Sequence, residues 1–141
     1  MTQEITGGCL CGQIRYTVGQ PVDKIIACHC THCQKASGAG ASHNVPLPAS
    51  ALTITRGQPR RYDDMADSGN ILWRFFCPDC GSSLYSQRSK SPEMIVLKAG
   101  GLDDSNGMKL AMNIWTDSAR PWMPIDPAVE RHAKNRPAPK T

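Results

Sequence analysis

Seven cysteines in three tight clusters constrain this 141-residue chain more than any other feature of its sequence. The first cluster is the pair Cys9 and Cys11, and the third is the C-x-x-C segment 77–80. The second cluster, residues 28–33, places three cysteines and two histidines within six positions. Thiolate is the softest protein ligand for zinc, which prefers four ligands in a tetrahedron. Buried, inert cysteines would have no reason to cluster, so the pattern predicts at least one metal ion.

The third cluster has the form of a zinc knuckle. Pro78 favours a tight turn between the two cysteines, and Gly81 can take the left-handed conformation that often follows such a turn. Seven ligands divide most naturally into a closed site of four and an open site of three, and an open position is typical of catalytic zinc. Spacing alone does not fix the partition. A generic zinc ribbon would join Cys30 and Cys33 to the third cluster and leave three cysteines over.

The remaining pattern predicts a mostly β fold with short, antiparallel strands. Apolar residues alternate with polar ones, or form short aromatic-rich runs, and Gly and Pro separate these runs. Two short helices are expected, at residues 31–36 and at 126–133, where Asp126 and Pro127 resemble a helix start. The predicted strands lie at residues 13–18, 51–55, 71–76, 83–85, 94–97 and 110–115.

Length and composition favour one zinc domain over residues 1–135, with a flexible tail at 136–141. No apolar stretch approaches the ~20 residues of a membrane-spanning helix, so no membrane partner is expected. The amino-terminal residues show neither a basic start nor an apolar run, so we expect a cytoplasmic protein with reduced thiols. Seven thiolates holding two zinc ions would lower the formal net charge from +4 to +1. That small charge argues against a nucleic-acid partner.

Five segments together resemble one known family, the glutathione-dependent formaldehyde-activating enzymes, whose domain is shared with the centromere protein V group. The resemblance spans about residues 7 to 125 and includes all seven cysteines. It implies a fold of the Mss4-like type, a small antiparallel β-sheet fold with zinc-binding loops and few short helices. The matching segments are Gly7-Gly8-Cys9-Leu10-Cys11-Gly12-Gln13-Ile14-Arg15-Tyr16, residues 28–38, Phe76-Cys77-Pro78-Asp79-Cys80-Gly81-Ser82, Ile114-Trp115 and Pro121-Trp122.

The resemblance also implies how the ligands divide between two zinc ions per chain. In the family, the structural zinc would be held by Cys9, Cys11, Cys77 and Cys80, and the catalytic zinc by Cys28, Cys30 and Cys33. Three thiolates bind less tightly than four, so we expect the second site to be partly empty in a purified sample.

The activity implied is that of a carbon–sulfur lyase acting on a thiol–aldehyde adduct. Glutathione, the small-molecule partner, adds to formaldehyde and gives S-hydroxymethylglutathione. His29 and His32 could shuttle a proton, although partly exposed loop histidines are the plainer interpretation. Lys35 and Arg74 could pair with a glutathione carboxylate, although solvated surface charge is the plainer interpretation. Many relatives carry His at the position of Asn113, and Asn cannot titrate.

Two other functions remain open on sequence grounds. A non-catalytic zinc-binding interaction module would close the three-cysteine site with His29, His32 or a remote ligand. A thiol redox protein would use Cys30 and Cys33 as a reversible C-x-x-C pair, and would lose its metal without collapse of the fold.

Overall fold

A computed structural model describes residues 4–66 and 68–136 of the chain. Within these residues the protein is mostly β, as predicted, and it has a single α-helix. The helix α1 spans Thr31–Ser37, and three short 3-10 turns span Ala49–Ala51, Ala99–Gly101 and Thr116–Ser118. The strands are β1 (Ile5–Gly8), β2 (Arg15–Val18), β3 (Lys24–Cys28), β4 (Ser42–Pro48), β5 (Leu52–Arg56), β6 (Arg60–Met65), β7 (Ile71–Phe76), β8 (Ser83–Arg88), β9 (Ser91–Lys98), β10 (Lys109–Ile114) and β11 (Glu130–Arg131).

The chain divides into two compact units. Unit 1 comprises Met1–Val22 and Val45–Gly107, and unit 2 comprises Asp23–Asn44 and Met108–Thr141. Strand β4 contributes its first three residues to unit 2 and its last four to unit 1. The single-domain organisation expected from length stays a prediction, and the predicted tail at 136–141 lies almost entirely outside the described residues.

Unit 1 contains two antiparallel arrangements of strands. Strands β1, β2 and β5 form a three-stranded sheet in that order, and β9, β8, β7 and β6 follow one another as neighbours. Phe75 on β7 stacks on Tyr85 of β8 with ring centroids 4.4 Å apart. Every second residue is buried in β2, in the middle of β8 and in the second half of β9, as the period-two pattern requires. The largest fully buried side chains of this unit are Tyr16, Ile14, Leu47, Leu84, Leu97 and Cys77.

Unit 2 is built on strands β11, β10 and β3 and the start of β4, in that order. Strands β3 and β4 pair antiparallel, whereas β10 pairs parallel with both β3 and β11. Alternation predicted β10 but not its parallel pairing, because periodicity shows which residues share a face and not which strand lies beside them. The register places Asn113 opposite Ala27 and Ile114 opposite Cys28.

The helix predicted at residues 126–133 is wrong. The Asp126 carboxylate accepts a hydrogen bond from the Ala128 N–H (2.9 Å), and the Asp126 carbonyl accepts one from the Val129 N–H (3.1 Å). These bonds close a single turn, after which Glu130–Arg131 pairs with β10. Aspartate supports such turns as readily as it supports helix starts, which explains the error.

Three strands of at least five residues, β3, β4 and β6, were not predicted from the sequence. Strand β4 contains Pro46 and Pro48, strand β6 is mostly exposed and charged, and β3 is a short apolar run ending at a cysteine. Each lacks clear alternation of polar and apolar residues.

None of the helices in the described parts of the chain is long and apolar enough to cross a membrane.

Candidate metal centres

Unit 1 carries a cluster of four cysteines, one pair from each of two tight turns. The Sγ atoms of Cys9, Cys11, Cys77 and Cys80 all lie within 4.8 Å of one another. The Sγ–Sγ distance is 3.6 Å between Cys9 and Cys11 and 3.8 Å between Cys11 and Cys77. A tetrahedral zinc ion with Zn–S bonds of ~2.3 Å requires sulfur atoms about 3.8 Å apart. These two Sγ–Sγ distances therefore match the spacing that a tetrahedral thiolate site needs.

The chain turns sharply around both pairs. After β1, the Gly12 N–H donates to the Cys9 carbonyl (3.3 Å), which folds the first pair back on itself. After β7, the Gly81 N–H donates to the Cys77 carbonyl (2.8 Å), and Gly81 has a φ of +77°, as the knuckle interpretation predicted. Glycine takes this left-handed conformation without steric cost, which allows Cys80 to face Cys77.

Hydrogen bonds to sulfur favour the thiolate form of Cys9 and Cys80 and lower their pKa, whereas contacts with the other three thiols help to raise the pKa of Cys11 to about 12. The Leu10 N–H donates to Ser82 Oγ (3.0 Å), which leaves the Ser82 hydroxyl proton for Cys80 Sγ at 3.2 Å. The hydrogen bond from Ser82 lowers the pKa of Cys80 to about 5. The Ile14 N–H donates to Cys9 Sγ (3.3 Å). Such donors stabilise the charged ligands that a metal ion requires.

Unit 2 carries a second cluster of three cysteines. Cys28 ends strand β3, Cys30 precedes helix α1 and Cys33 lies in it, and their Sγ atoms are all within 4.8 Å of one another. Cys30 also caps the helix, because its Sγ accepts a hydrogen bond from the Cys33 N–H (3.3 Å). The end of a strand and the first turn of a helix thus bring three thiols together.

The three thiols cannot readily ionise together in the absence of a cation. Contacts with the Cys30 and Cys33 thiols raise the pKa of Cys28, and burial raises it further. A divalent cation would reverse that effect, since thiolate coordination deprotonates the thiol outright. The donor set therefore fits a soft divalent metal such as zinc.

No fourth ligand completes the second cluster among the described residues. The cluster consists of three cysteines only, and neither histidine of the loop belongs to it. His29 is fully buried and His32 is half-buried, so the loop-exposed interpretation is wrong for His29. A tetrahedral metal held here would keep one position for another molecule.

His29 is held from two sides by strand β10. Its backbone N–H donates to the Ile114 carbonyl (3.0 Å), and its Nε2 lies 2.8 Å from Oδ1 of Asn113. Both side chains are buried, and within the described residues His29 Nδ1 and Asn113 Nδ2 have no hydrogen-bond partner. The sequence singled out both residues but gave no sign that they touch.

A second side chain, Gln34, ties the cysteine loop to the segment after β10. Its Nε2 donates to the carbonyls of His29 (2.7 Å) and Ser118 (2.9 Å), and its Oε1 accepts from Arg120 Nε at 2.9 Å. Sequence reasoning missed Gln34 and Arg120, because the link between them exists only in the folded chain.

Lys35 and Arg74, which the sequence suggested as partners of a glutathione carboxylate, lie in different environments. Arg74 Nε donates to Asp64 at 2.8 Å, and both side chains are largely buried, so the guanidinium already has its carboxylate. Lys35 is exposed on helix α1.

Comparison with known proteins places the chain in a family and identifies a similar fold. The sequence profile of the family described as "Glutathione-dependent formaldehyde-activating enzyme" matches residues 4–118. A protein of Halomonas elongata with the provisional name glutathione-dependent formaldehyde-activating enzyme is 28% identical over 106 residues. That match covers 70% of this chain and 66% of the relative. A crystal structure of a Rhodobacter sphaeroides protein is similar in fold, with a TM-score of 0.57 and 21% identity, over 72% of this chain and 90% of that one.

Proposed function

The chain belongs to the family of glutathione-dependent formaldehyde-activating enzymes, and from this we propose that it is a zinc-dependent carbon–sulfur lyase. It would act on a thiol–aldehyde adduct, forming S-hydroxymethylglutathione from glutathione and formaldehyde. We place it in the cytoplasm, where thiols stay reduced. The observation that carries the proposal is the cluster of three cysteines in unit 2 that lacks a fourth ligand among the described residues.

We assign the two clusters different roles. Cys9, Cys11, Cys77 and Cys80 would hold a structural zinc, because four thiols at tetrahedral spacing leave no position for substrate. Cys28, Cys30 and Cys33 would hold the catalytic zinc, which when bound lowers the pKa of a substrate thiol and polarises an aldehyde. Occupancy of the second site would be lower, since it offers one thiolate fewer.

The reaction proposed is an addition in which no atom is lost. The substrate sulfur forms a bond to the carbonyl carbon, the carbonyl π pair moves onto the oxygen, and that oxygen receives the thiol proton. His29 and His32 are the candidates for moving this proton. His29 is the stronger candidate, because Asn113 fixes one ring nitrogen while the other, Nδ1, has no partner among the described residues.

Native mass spectrometry of the zinc-replete protein, with and without millimolar glutathione, tests the open site. We expect two zinc ions per chain and a glutathione adduct that is lost in Cys30→Ala. Nuclear magnetic resonance of ¹³C-formaldehyde with glutathione should show faster exchange into the adduct in the presence of the protein. If two zinc ions bind but no glutathione adduct forms, and exchange of formaldehyde into the adduct is not faster, the non-catalytic zinc-binding module would be favoured. Reversible oxidation of Cys30 and Cys33 with metal loss and an intact fold would favour the thiol redox protein.

A further inference from the structure

The amide of Gln34 has one orientation that satisfies all its neighbours. Two carbonyl oxygens, of His29 and Ser118, face Nε2, and a guanidinium N–H from Arg120 faces Oε1. Reversing the amide would bring nitrogen against a donor and oxygen against two acceptors, so the network fixes it. The carbonyl oxygen of Gln34 is thereby presented to Arg120 as a fixed acceptor.

This arrangement ties Arg120 to the three-cysteine loop. Gln34 directly follows Cys33 in helix α1, and the carbonyl that it binds belongs to His29, between Cys28 and Cys30. The Gln34 side chain therefore links Nε of Arg120 to the loop that carries the three thiols.

The two terminal nitrogens of Arg120 are left for another molecule. Within residues 4–66 and 68–136, the only hydrogen bond of the Arg120 side chain is the one from Nε to Gln34, and the side chain is exposed. The acidic residue of the neighbouring turn, Asp117, already accepts from Lys134 Nζ at 3.1 Å. A guanidinium with both terminal nitrogens free matches the two oxygens of a carboxylate. Because Gln34 already holds Nε, the side chain loses less conformational entropy on binding.

We propose that Arg120 binds a carboxylate of the thiol substrate, so that the three-cysteine site selects anionic thiols. This inference rests on the proposed function, which supplies the thiol at the neighbouring metal. Glutathione carries two carboxylates and fits the requirement. The sequence suggested Lys35 or Arg74 for this role, but Arg74 is occupied by Asp64, whereas Gln34 positions Arg120.

Kinetics with two thiols test the proposal: glutathione, and the uncharged N-acetylcysteamine, which has no carboxylate. For Arg120→Ala we expect KM for glutathione to rise about tenfold, the effect of losing one charge-assisted hydrogen bond at an exposed site. Its kcat, and its KM for N-acetylcysteamine, should stay near those of the native protein. Arg120→Lys should give an intermediate KM for glutathione, since lysine keeps the positive charge but lacks the paired N–H donors of the guanidinium. The control Arg88→Ala removes an exposed positive charge from unit 1 and should change neither KM.

Calorimetry with S-methylglutathione, whose sulfur is blocked, separates this inference from the reaction itself. We expect binding to the zinc-replete native protein and a Kd about tenfold weaker in Arg120→Ala. The inference is overturned if S-methylglutathione does not bind the native protein, or if it binds native and variant equally. It is also overturned if Arg120→Ala raises KM for both thiols by the same factor. Turnover of neither thiol by the native protein would instead refute the proposed function, and calorimetry would still decide the role of Arg120.

Discussion

His29 Nε2 lies 2.8 Å from Asn113 Oδ1, and the two residues are 84 positions apart in the chain. An amide oxygen only accepts hydrogen bonds, so Nε2 is the donor in this contact, and in the neutral form of the ring the lone pair would lie on Nδ1. The parallel pairing of β3 with β10 makes this contact, because it sets Asn113 beside Ala27. Asn113 thus fixes both the position and the tautomer of the histidine between two candidate zinc ligands.

Replacing Asn113 should destabilise the protein. Asn113→Ala leaves Nε2 of the fully buried His29 without a partner, and an unsatisfied buried donor costs about 1–3 kcal/mol. We expect a loss of this size in the free energy of unfolding, measured by urea titration of the zinc-replete protein. Asn106→Ala, at an exposed position, is the control and should change it by less than about 0.5 kcal/mol. Equal losses in the two variants would contradict a stabilising His29–Asn113 bond.

The sequence predicted local structure well where the residues of one segment determine it. The aromatic-rich strand Ile71–Phe76 and the knuckle turn at Gly81 depend on near neighbours, and both are present. Helix α1 was also predicted, and the structure adds that the Cys30 thiol caps it from within the same segment.

Contacts between distant segments could not be predicted from pattern alone. Spacing left open whether Cys77 joins Cys30 or Cys9, and the structure places it with Cys9, as the family resemblance implied. The contact between Gln34 and Arg120 likewise depends on how segments 86 positions apart meet. Periodicity shows which face of a strand is buried, whereas the neighbours of that strand follow from tertiary packing.

Removing a ligand from each cluster should have different effects. Cys77→Ala should unfold or strongly destabilise the protein, since a structural zinc contributes its binding energy to folding. Cys30→Ala should retain most of the fold and lose the glutathione adduct and any activity. Circular dichroism and zinc content per chain measure the two effects.

The zinc content separates this division from general damage to the fold. Cys30→Ala should keep about one zinc ion per chain, at the four-cysteine cluster, if the roles are as proposed. Cys33→Ala provides a matched second variant, because it removes another thiol from the same cluster. Unfolding of Cys30→Ala and Cys33→Ala to the same extent as Cys77→Ala would contradict separate structural and catalytic sites.

Gly7 should tolerate no side chain. A Cβ built there would lie 2.5 Å from both the Gly101 carbonyl oxygen and the Tyr16 hydroxyl, far inside normal contact distance. Gly7→Ala should therefore lower the free energy of unfolding by about 1–3 kcal/mol through overpacking. Gly100→Ala is the matched control, because a Cβ there meets no atom within 4 Å. Urea titration of both variants should show the loss in Gly7→Ala alone, and a similar change in both would argue against the close approach.

The Tyr16 hydroxyl should make the protein sensitive to alkali. It is buried without a hydrogen-bond partner among the described residues, and burial raises the pKa of Tyr16 to about 12. Below about pH 10 the ring is neutral in the folded and the unfolded chain, so its contribution to stability is fully present. Above that pH the unfolded chain ionises first, and up to about 3 kcal/mol is lost as pH rises towards 12. Tyr16→Phe should change stability little at neutral pH, because no hydrogen bond is lost, and should lose less at high pH. Unfolding curves of the zinc-replete native protein and variant that fall in parallel between about pH 9 and 12 would show that Tyr16 does not cause the loss.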